Sequence, residues 1–205
     1  MINDTPIGER TVTMLLEQVA ARQPTPGGGA VAAVTVSLAS ALGEMVLRYR
    51  LGDTGADDSL HGEALETMGR LGSTALALAD ADARAFEKLS ALWKLSKDDP
   101  QRRAEWTDAV AGAIDAPQRI LATGLEVLTV LDRVRESVGS NLRSDLAIAA
   151  LLARSGAEAA AWNVRVNLPQ VGDEDRAAGL EQDTAQSLER AAALCDAIEQ
   201  TCRRA

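Results

Sequence analysis

The sequence has few aromatic side chains. Only 2% of its 205 residues are aromatic although 46% are hydrophobic, so alanine carries much of the apolar character. Alanine is the best helix former, whereas aromatic residues favour strands. The composition predicts an all-α protein. A chain of this length can bury one sizeable core, so we expect a single domain over residues 1–205.

Histidine and cysteine are also scarce. His61 is the only histidine, and Cys195 and Cys202 are the only cysteines. Cysteines seven residues apart on one helix have Cα atoms about 10 Å apart, too far for a mutual disulfide. There is no Ser-His-Asp set and no zinc-ligand spacing. We therefore predict no metal site and expect His61, at a helix start, to be solvated.

Positive charge is in deficit, with a net charge of −9. Nucleic-acid binding needs a clustered basic surface, so this class of partner is excluded. We find no apolar run that approaches the roughly 18 residues needed to span a bilayer, and therefore predict no membrane partner. Residues 1–10 are polar and charged, without the pattern of a signal peptide. The predicted compartment is the cytoplasm.

Apolar residues recur at helical spacing in six segments separated by short breaks. We expect a connection at 52–58, where Gly and Asp are frequent, and a kink or break at Pro117 inside the fourth segment. These segments predict a bundle of about six helices, several of them long and antiparallel, over about 9–22, 30–50, 59–95, 100–138, 144–169 and 173–204.

Two aspartates in the third helix fall on different faces. At about 100° per residue, Asp82 lies within the apolar stripe that contains Leu71, Leu78 and Leu89, whereas Asp80 points away from it. A carboxyl group on a buried face is paired, hydrogen-bonded or raised in pKa. A raised pKa would make Asp82 a general acid near neutral pH. The alternative is a structural aspartate that binds a neighbouring helix end or an arginine.

The fifth helix has a polar line on one face, formed by Asp145, Asn163 and Asn167. The two asparagines are four residues apart, so their amides point the same way. Such a pair either satisfies buried backbone groups or contacts a ligand's heterocycle. Asp145 and Asn163 are about 27 Å apart along the helix. They cannot both touch one small ligand within a chain, so either dimerisation joins them or they act separately.

Gly27, Gly28 and Gly29 precede the apolar second helix. Free backbone N–H groups at a helix start favour an anion, and glycines allow close approach of a ligand. The spacing is that of neither a P-loop nor a dinucleotide fingerprint. A tight structural turn is the other interpretation.

Together these motifs resemble the formimidoyltetrahydrofolate cyclodeaminase and methenyltetrahydrofolate cyclohydrolase family. The similarity covers nearly the whole chain. The motifs that carry it are Pro24-Thr25-Pro26-Gly27-Gly28-Gly29-Ala30, Asp82-Ala83-Arg84-Ala85-Phe86, the mid-chain Pro117, Ser144-Asp145-Leu146, and Asn163-Val164-Arg165-Val166-Asn167.

The resemblance implies an all-helical homodimer that binds a tetrahydrofolate derivative without a metal or prosthetic group. One activity closes 5-formiminotetrahydrofolate to the 5,10-methenyl form with release of ammonia, and the other interconverts the methenyl and 10-formyl forms with water. It implies that Asp82 is the catalytic acid. Gly27, Gly28, Gly29, Asp145, Asn163 and Asn167 would then bind the substrate.

Two alternatives remain open from the sequence. One is a paralogue that uses the same acid on a non-folate imine or amidine in specialised metabolism. The other is a non-catalytic helical dimer module that keeps only the scaffold.

Overall fold

Helices and short connections account for the residues described in this computed structural model, 5–54 and 59–204, and no strand occurs among them. The predicted all-α bundle of about six helices is confirmed. Most helix ends lie within three or four residues of their predicted positions, the first helix being shorter. The helices are α1 Val12–Ala20, α2 Gly28–Thr54, α3 Ser59–Trp93, α4 Pro100–Val134, α5 Arg143–Asn167 and α6 Glu174–Arg203.

Side-chain caps fix three of the helix starts. The Thr11 hydroxyl accepts from the Met14 amide at the start of α1. The Asp99 carboxylate accepts from the first turn of α4, where Pro100 follows it. Asp173 caps α6 in the same way. Each cap satisfies N–H groups that have no partner within the helix. The residues next to each boundary therefore determine where the helix begins.

Helices α2 to α5 form an antiparallel bundle. Each packs on the next in chain order and α5 returns to pack on α2, while α6 lies outside against α4 and α5. Gly28 at the start of α2 lies beside Asn163 near the end of α5, and Val36 lies beside Gly156. The first turn of α2 therefore sits between the later parts of α3 and α5.

Two glycines allow α2, α4 and α5 to approach closely. A Cβ atom on Gly156 would lie 2.6 Å from a Val36 methyl group, and one on Gly124 would lie 3.0 Å from the Ala153 carbonyl oxygen. The contact at Gly156 is closer than real Cβ atoms show, and the contact at Gly124 would require the backbone of α5 to move by a few tenths of an ångström, so the packing favours glycine at both positions. This close packing sets the height of α2 against α5 and thereby positions the glycine turn.

Pro117 does not break α4, so of the two predicted outcomes, a kink or a break, the break is wrong. It is buried within one continuous helix. Proline lacks an N–H group, so the carbonyl of Ala113, four residues earlier, loses its usual donor. The Asn167 side-chain amide of α5 donates to that carbonyl at 3.1 Å. A neighbouring helix thus supplies the missing hydrogen bond.

Helix α2 corrects the expectation about apolar runs. Its segment Gly28–Gly52 reaches a mean hydropathy of 1.8 over 18 residues, which is long and apolar enough to cross a membrane by composition alone. Half of that window is buried inside the bundle, where α3 and α5 cover two sides of the helix. Such a pattern is also typical of a core helix.

His61 is buried rather than solvated, so that prediction was wrong. Its exposed fraction is 3%, and its Nε2 atom lies 2.6 Å from the Ser137 hydroxyl. The start of α3 packs under the connection between α4 and α5, a contact that local sequence does not reveal. Residues 1–4 of the amino-terminal segment and 55–58 of the expected connection lie outside the described residues.

Candidate active site

The carboxyl group of Asp82 lies against the glycine turn. Helix α3 directs it toward the first turn of α2, where an ideal Cβ on Gly29 would be 2.3 Å from the Asp82 carboxyl atoms. Any side chain at position 29 would occupy the space that the carboxyl group fills. Asp82 is half-buried, and no hydrogen bond or ion pair is recorded for it within the described ranges. The predicted placement on the apolar face of α3 is correct.

Burial changes the acidity of this group. Desolvation raises the pKa of Asp82 from 3.8 to about 6 because the charged carboxylate loses water without gaining a partner. A pKa of about 6 is close enough to neutral pH for both the acid and the carboxylate to be accessible. The direction of this shift agrees with the raised pKa that the position of Asp82 on a buried face of α3 suggested.

Asn163 flanks the other side of the turn. A Cβ on Gly28 would lie 3.7 Å from the Asn163 Nδ2 atom. That nitrogen donates to the Ala159 carbonyl within α5 at 3.0 Å. Gly28 and Gly29 are neighbours, so their Cα atoms are about 3.8 Å apart. This spacing, the two Cα–Cβ bonds and the two distances to the side chains together place the Asp82 carboxyl group and the Asn163 Nδ2 atom within roughly 13 Å of each other.

The first turn of α2 contributes backbone donors between these two side chains. The Val31 amide bonds the Gly27 carbonyl at 3.1 Å, which starts the helical pattern. The N–H groups of Gly28, Gly29 and Ala30 precede any partner within the helix. This turn, with Asp82 and Asn163, is hereafter the glycine-turn site.

Asn167 has a structural task. It is buried, and its Nδ2 atom donates to the Ala113 carbonyl at 3.1 Å and to the Asn163 carbonyl at 2.9 Å. Both amide hydrogens are thereby used within the protein. The carbonyl opposite Pro117 takes one of those hydrogens, so only the side-chain oxygen of Asn167 is left for a ligand. Substrate binding by Asn167 stays a prediction.

Asp145 lies at the other end of α5 from the glycine-turn site. It is half-buried in the first turn of the helix, and no hydrogen bond or ion pair is recorded for it among the described residues. Along a straight helix it is about 27 Å from Asn163. A single chain does not bring the two together.

A cavity lies on the opposite face of α3 from Asp82. It has a volume of about 670 Å³, and its lining includes Pro26, Asp80, Glu87 and Arg84 but not Asp82. Glu87 accepts a 2.8 Å hydrogen bond from the Thr25 hydroxyl, which holds the segment before α2 against α3. The cavity and the glycine-turn site therefore share that segment.

The sequence did not predict that Asp80 holds another segment of the chain in place. The sequence placed it outward, but its carboxylate accepts from the Ile7 amide at 3.1 Å and so fixes the amino-terminal segment on α3. The one signal in the sequence is its position two residues before Asp82.

Among the described residues, no group of three His, Cys, Asp or Glu side chains could hold a metal ion.

The arrangement defines a class of protein. A desolvated carboxyl group beside a helix start is the kind of group that can transfer a proton to a bound ligand, and here it lies within an all-helical bundle. The chain belongs to the formiminotransferase-cyclodeaminase family, whose sequence profile matches residues 11–186. The resemblance noted from the sequence motifs is therefore confirmed.

Individual relatives agree with this assignment. The chain is 29% identical to the methenyltetrahydrofolate cyclohydrolase of Methylorubrum extorquens over 96% of its own length and 97% of that protein. It is 31% identical to the formimidoyltransferase-cyclodeaminase of Sus scrofa over 86% of its own length, but it spans only 34% of that relative. The crystal structure of formiminotetrahydrofolate cyclodeaminase from Thermotoga maritima superposes with a TM-score of 0.81 at 27% identity, covering 97% of this chain and 96% of that one.

Proposed function

We propose that this protein is a folate-dependent one-carbon enzyme, a cyclohydrolase or cyclodeaminase acting on methenyl- or formimino-tetrahydrofolate. The observation that supports this most directly is the Asp82 carboxyl group, desolvated and seated against Gly29. The family assignment and the names of the relatives favour a folate over another imine or amidine. A non-catalytic module gives no reason to maintain an unpaired carboxyl group in this position.

The two reactions need the same proton transfers. In the cyclohydrolase reaction, water adds to the methenyl carbon, and the bond from that carbon to N5 breaks as N5 gains a proton. In the cyclodeaminase reaction, N10 attacks the formimino carbon, and ammonia leaves after its nitrogen is protonated. Asp82 as carboxylate accepts a proton from the attacking group, and as acid it returns one to the departing nitrogen.

The glycine turn and Asn163 would bind the substrate beside this acid. Gly28 is exposed at the start of α2, so its N–H group can donate to a ligand, and the Asn163 side-chain oxygen beside it can accept from an N–H group of a heterocycle. These roles need only water and protons, so the proposed enzyme has no prosthetic group. We further propose that it is a single-domain homodimer of the cytoplasm, with no membrane or nucleic-acid partner.

The first experiment supplies each candidate substrate separately. A cyclohydrolase consumes 5,10-methenyltetrahydrofolate, seen as loss of its near-ultraviolet absorbance above the rate in buffer. A cyclodeaminase instead produces that absorbance from 5-formiminotetrahydrofolate, with one ammonia released per turnover. Neither change would contradict the proposed function.

Two variants and one control test the assignment of the site. Asp82→Asn should lower turnover at least about a hundredfold, because an amide cannot exchange the proton and general acid–base catalysis contributes this much. Gly29→Ala should have a similar effect since its Cβ would displace the carboxyl group. Its matched control is Gly62→Ala in α3, whose Cβ would meet no atom within 4 Å and which should keep most of the activity. Wild-type activity in both Asp82→Asn and Gly29→Ala would remove the glycine-turn site from the mechanism.

A further inference from the structure

The stretch of chain that leads into the glycine turn is loosely packed. Residues 21–27, hereafter the α1–α2 connection, run along one side of α3, and part of the connection lines the cavity of about 670 Å³. Gln23 and Pro24 are exposed. Within 4 Å of a Cβ atom on Gly27, the described residues offer only the Pro24 carbonyl oxygen. Pro26 is the one buried residue in the connection, so side-chain packing does little to hold it on the bundle.

One hydrogen bond joins the α1–α2 connection to α3. The Thr25 hydroxyl donates to the Glu87 carboxylate at 2.8 Å, and both residues are half-buried. The other hydrogen bonds recorded for residues 21–27 run back to α1, within the connection, or into the first turn of α2. In the described part of the chain, Thr25 and Glu87 thus form the one recorded hydrogen bond between this connection and α3. A hydrogen bond to an ionised acceptor is stronger than one between neutral groups.

The sequence around Thr25 makes this contact effective. Proline has a fixed φ, so Pro26 restricts how Gly27 can move relative to Thr25. The three glycines after Pro26 have no such restriction, and glycine loses more conformational freedom on folding than any other residue. A fixed point directly before these glycines shortens the flexible stretch that the fold must order.

Helix α3 contacts this stretch at two positions on different faces. Glu87 and Asp82 are five residues apart, which is about 7.5 Å along the helix axis and about 140° around it. Glu87 binds Thr25 on the cavity side, whereas Asp82 lies against Gly29 on the side of α2. The chain from 25 to 29 therefore crosses from one face of α3 to another, and the hydrogen bond fixes one end of that crossing. Loss of the bond leaves the turn held on α3 only from the side of α2.

We propose that Thr25 and Glu87 are positioning residues, whose hydrogen bond keeps Gly29 seated on the Asp82 carboxyl group and excludes water from between them. The inference rests on the proposed function for the role of Asp82 in catalysis. Without the bond, the glycine turn moves away from α3 and water reaches the carboxyl group. Solvation favours the carboxylate, so Asp82 then holds its proton less tightly. The backbone donors of the turn also lose their fixed distance from the acid.

Removal of the Thr25 hydroxyl tests this role. Thr25→Val replaces the hydroxyl with a methyl group of similar size and leaves the charge of Glu87 in place. It should lower kcat/KM about tenfold, the factor expected for loss of a hydrogen bond to a charged acceptor. Thr25→Ser keeps the hydroxyl and should keep most of the activity. The matched control is Thr13→Val on α1, where the threonine is exposed and the change should have no effect. A wild-type rate for Thr25→Val, or an equal loss in Thr25→Ser, would overturn the proposal.

The acceptor is tested by a second pair of variants. Glu87→Ala should lower kcat/KM as much as Thr25→Val does, whereas Glu87→Gln should keep most of the activity because its amide oxygen accepts the same hydrogen bond. The control is Glu66→Ala, an exposed glutamate of α3, which should leave the rate unchanged. The double variant Thr25→Val, Glu87→Ala should be no slower than either single variant, because each removes the same bond. Losses that multiply to about a hundredfold would show that the two residues act independently, contrary to the proposal.

The acidity of Asp82 gives a measurement that a loss of stability alone would not change. Its carboxyl carbon signal, assigned by its absence in Asp82→Asn, reports the pKa by NMR as the pH is varied. Burial raises that pKa from 3.8 to about 6 in the wild-type protein. In Thr25→Val the pKa should fall by about one pH unit as water enters, while Thr25→Ser should leave it unchanged. Because Glu87 keeps its charge in Thr25→Val, the fall reports water and not a lost negative charge. A wild-type pKa of Asp82 in Thr25→Val would refute the positioning role.

These measurements separate the positioning role from the proposed function. If wild-type protein acts on neither folate, the proposed function fails, and the titration of Asp82 without substrate still decides the positioning role. If wild-type protein is active and Thr25→Val matches it in both rate and titration, the proposed function stands and the positioning role fails. Circular dichroism of each variant, which should match that of wild type, ensures that only folded proteins are compared.

Discussion

Replacing Asp82 with asparagine should make the protein more stable at neutral pH while removing its activity. The pKa of this carboxyl group is 3.8 in the unfolded reference and about 6 in the folded protein. Each unit of difference corresponds to about 1.36 kcal/mol, which sets an upper limit of about 3 kcal/mol. Part of the side chain remains in solvent, so we expect a stability gain of about 1–2 kcal/mol for Asp82→Asn.

The pH dependence identifies the cause. The folded state holds the proton more tightly than the unfolded state, so the stabilising effect of protonation is fully present below pH 3.8. It is lost as the pH rises toward about 6, and above that value the folded protein carries the whole cost of a desolvated carboxylate. The advantage of Asp82→Asn should therefore grow between about pH 4 and pH 6 and then stay constant.

Denaturant unfolding of both proteins at several pH values measures this difference in the free energy of unfolding. The control is Asp108→Asn on α4, where the aspartate is exposed, and its effect should be small at every pH. A free energy of unfolding for Asp82→Asn that is lower than wild type at pH 7.5 would refute the reasoning. So would a gain of constant size across the whole pH range.

Two further predictions concern the scaffold, each read from the free energy of unfolding. Gly156→Ala should lower the free energy of unfolding by about 1–3 kcal/mol because its Cβ would lie 2.6 Å from a methyl group of α2. The control is Gly179→Ala in α6, which has open space around it and should instead raise the free energy of unfolding by up to about 1 kcal/mol. Asn167→Ala should cost about 1–3 kcal/mol by leaving the Ala113 carbonyl unpaired, and this cost should shrink in a Pro117→Ala background, where the helix regains its own donor. Equal costs in both backgrounds would contradict the pairing of Pro117 with Asn167.

Much of the scaffold followed from the sequence alone. The starts of α4 and α6 were predicted to within one residue, because caps such as Asp99 and Asp173 act within one turn of the residue that carries them. The placement of Asp82 on the buried face of α3 was also predictable, because helical periodicity fixes direction from neighbours a few residues away. The glycine turn was visible because three consecutive glycines precede an apolar helical segment in the sequence.

Only the tertiary structure decided what these groups meet. The burial of His61, the anchoring role of Asp80 and the pairing of Asn167 with the Ala113 carbonyl all depend on which helix lies opposite and at what height. The close contact of Gly156 with α2 sets that height. Sequence periodicity determines the face of a helix, whereas the register between helices comes from the packing of the whole bundle, and it is this register that places Gly29 against Asp82.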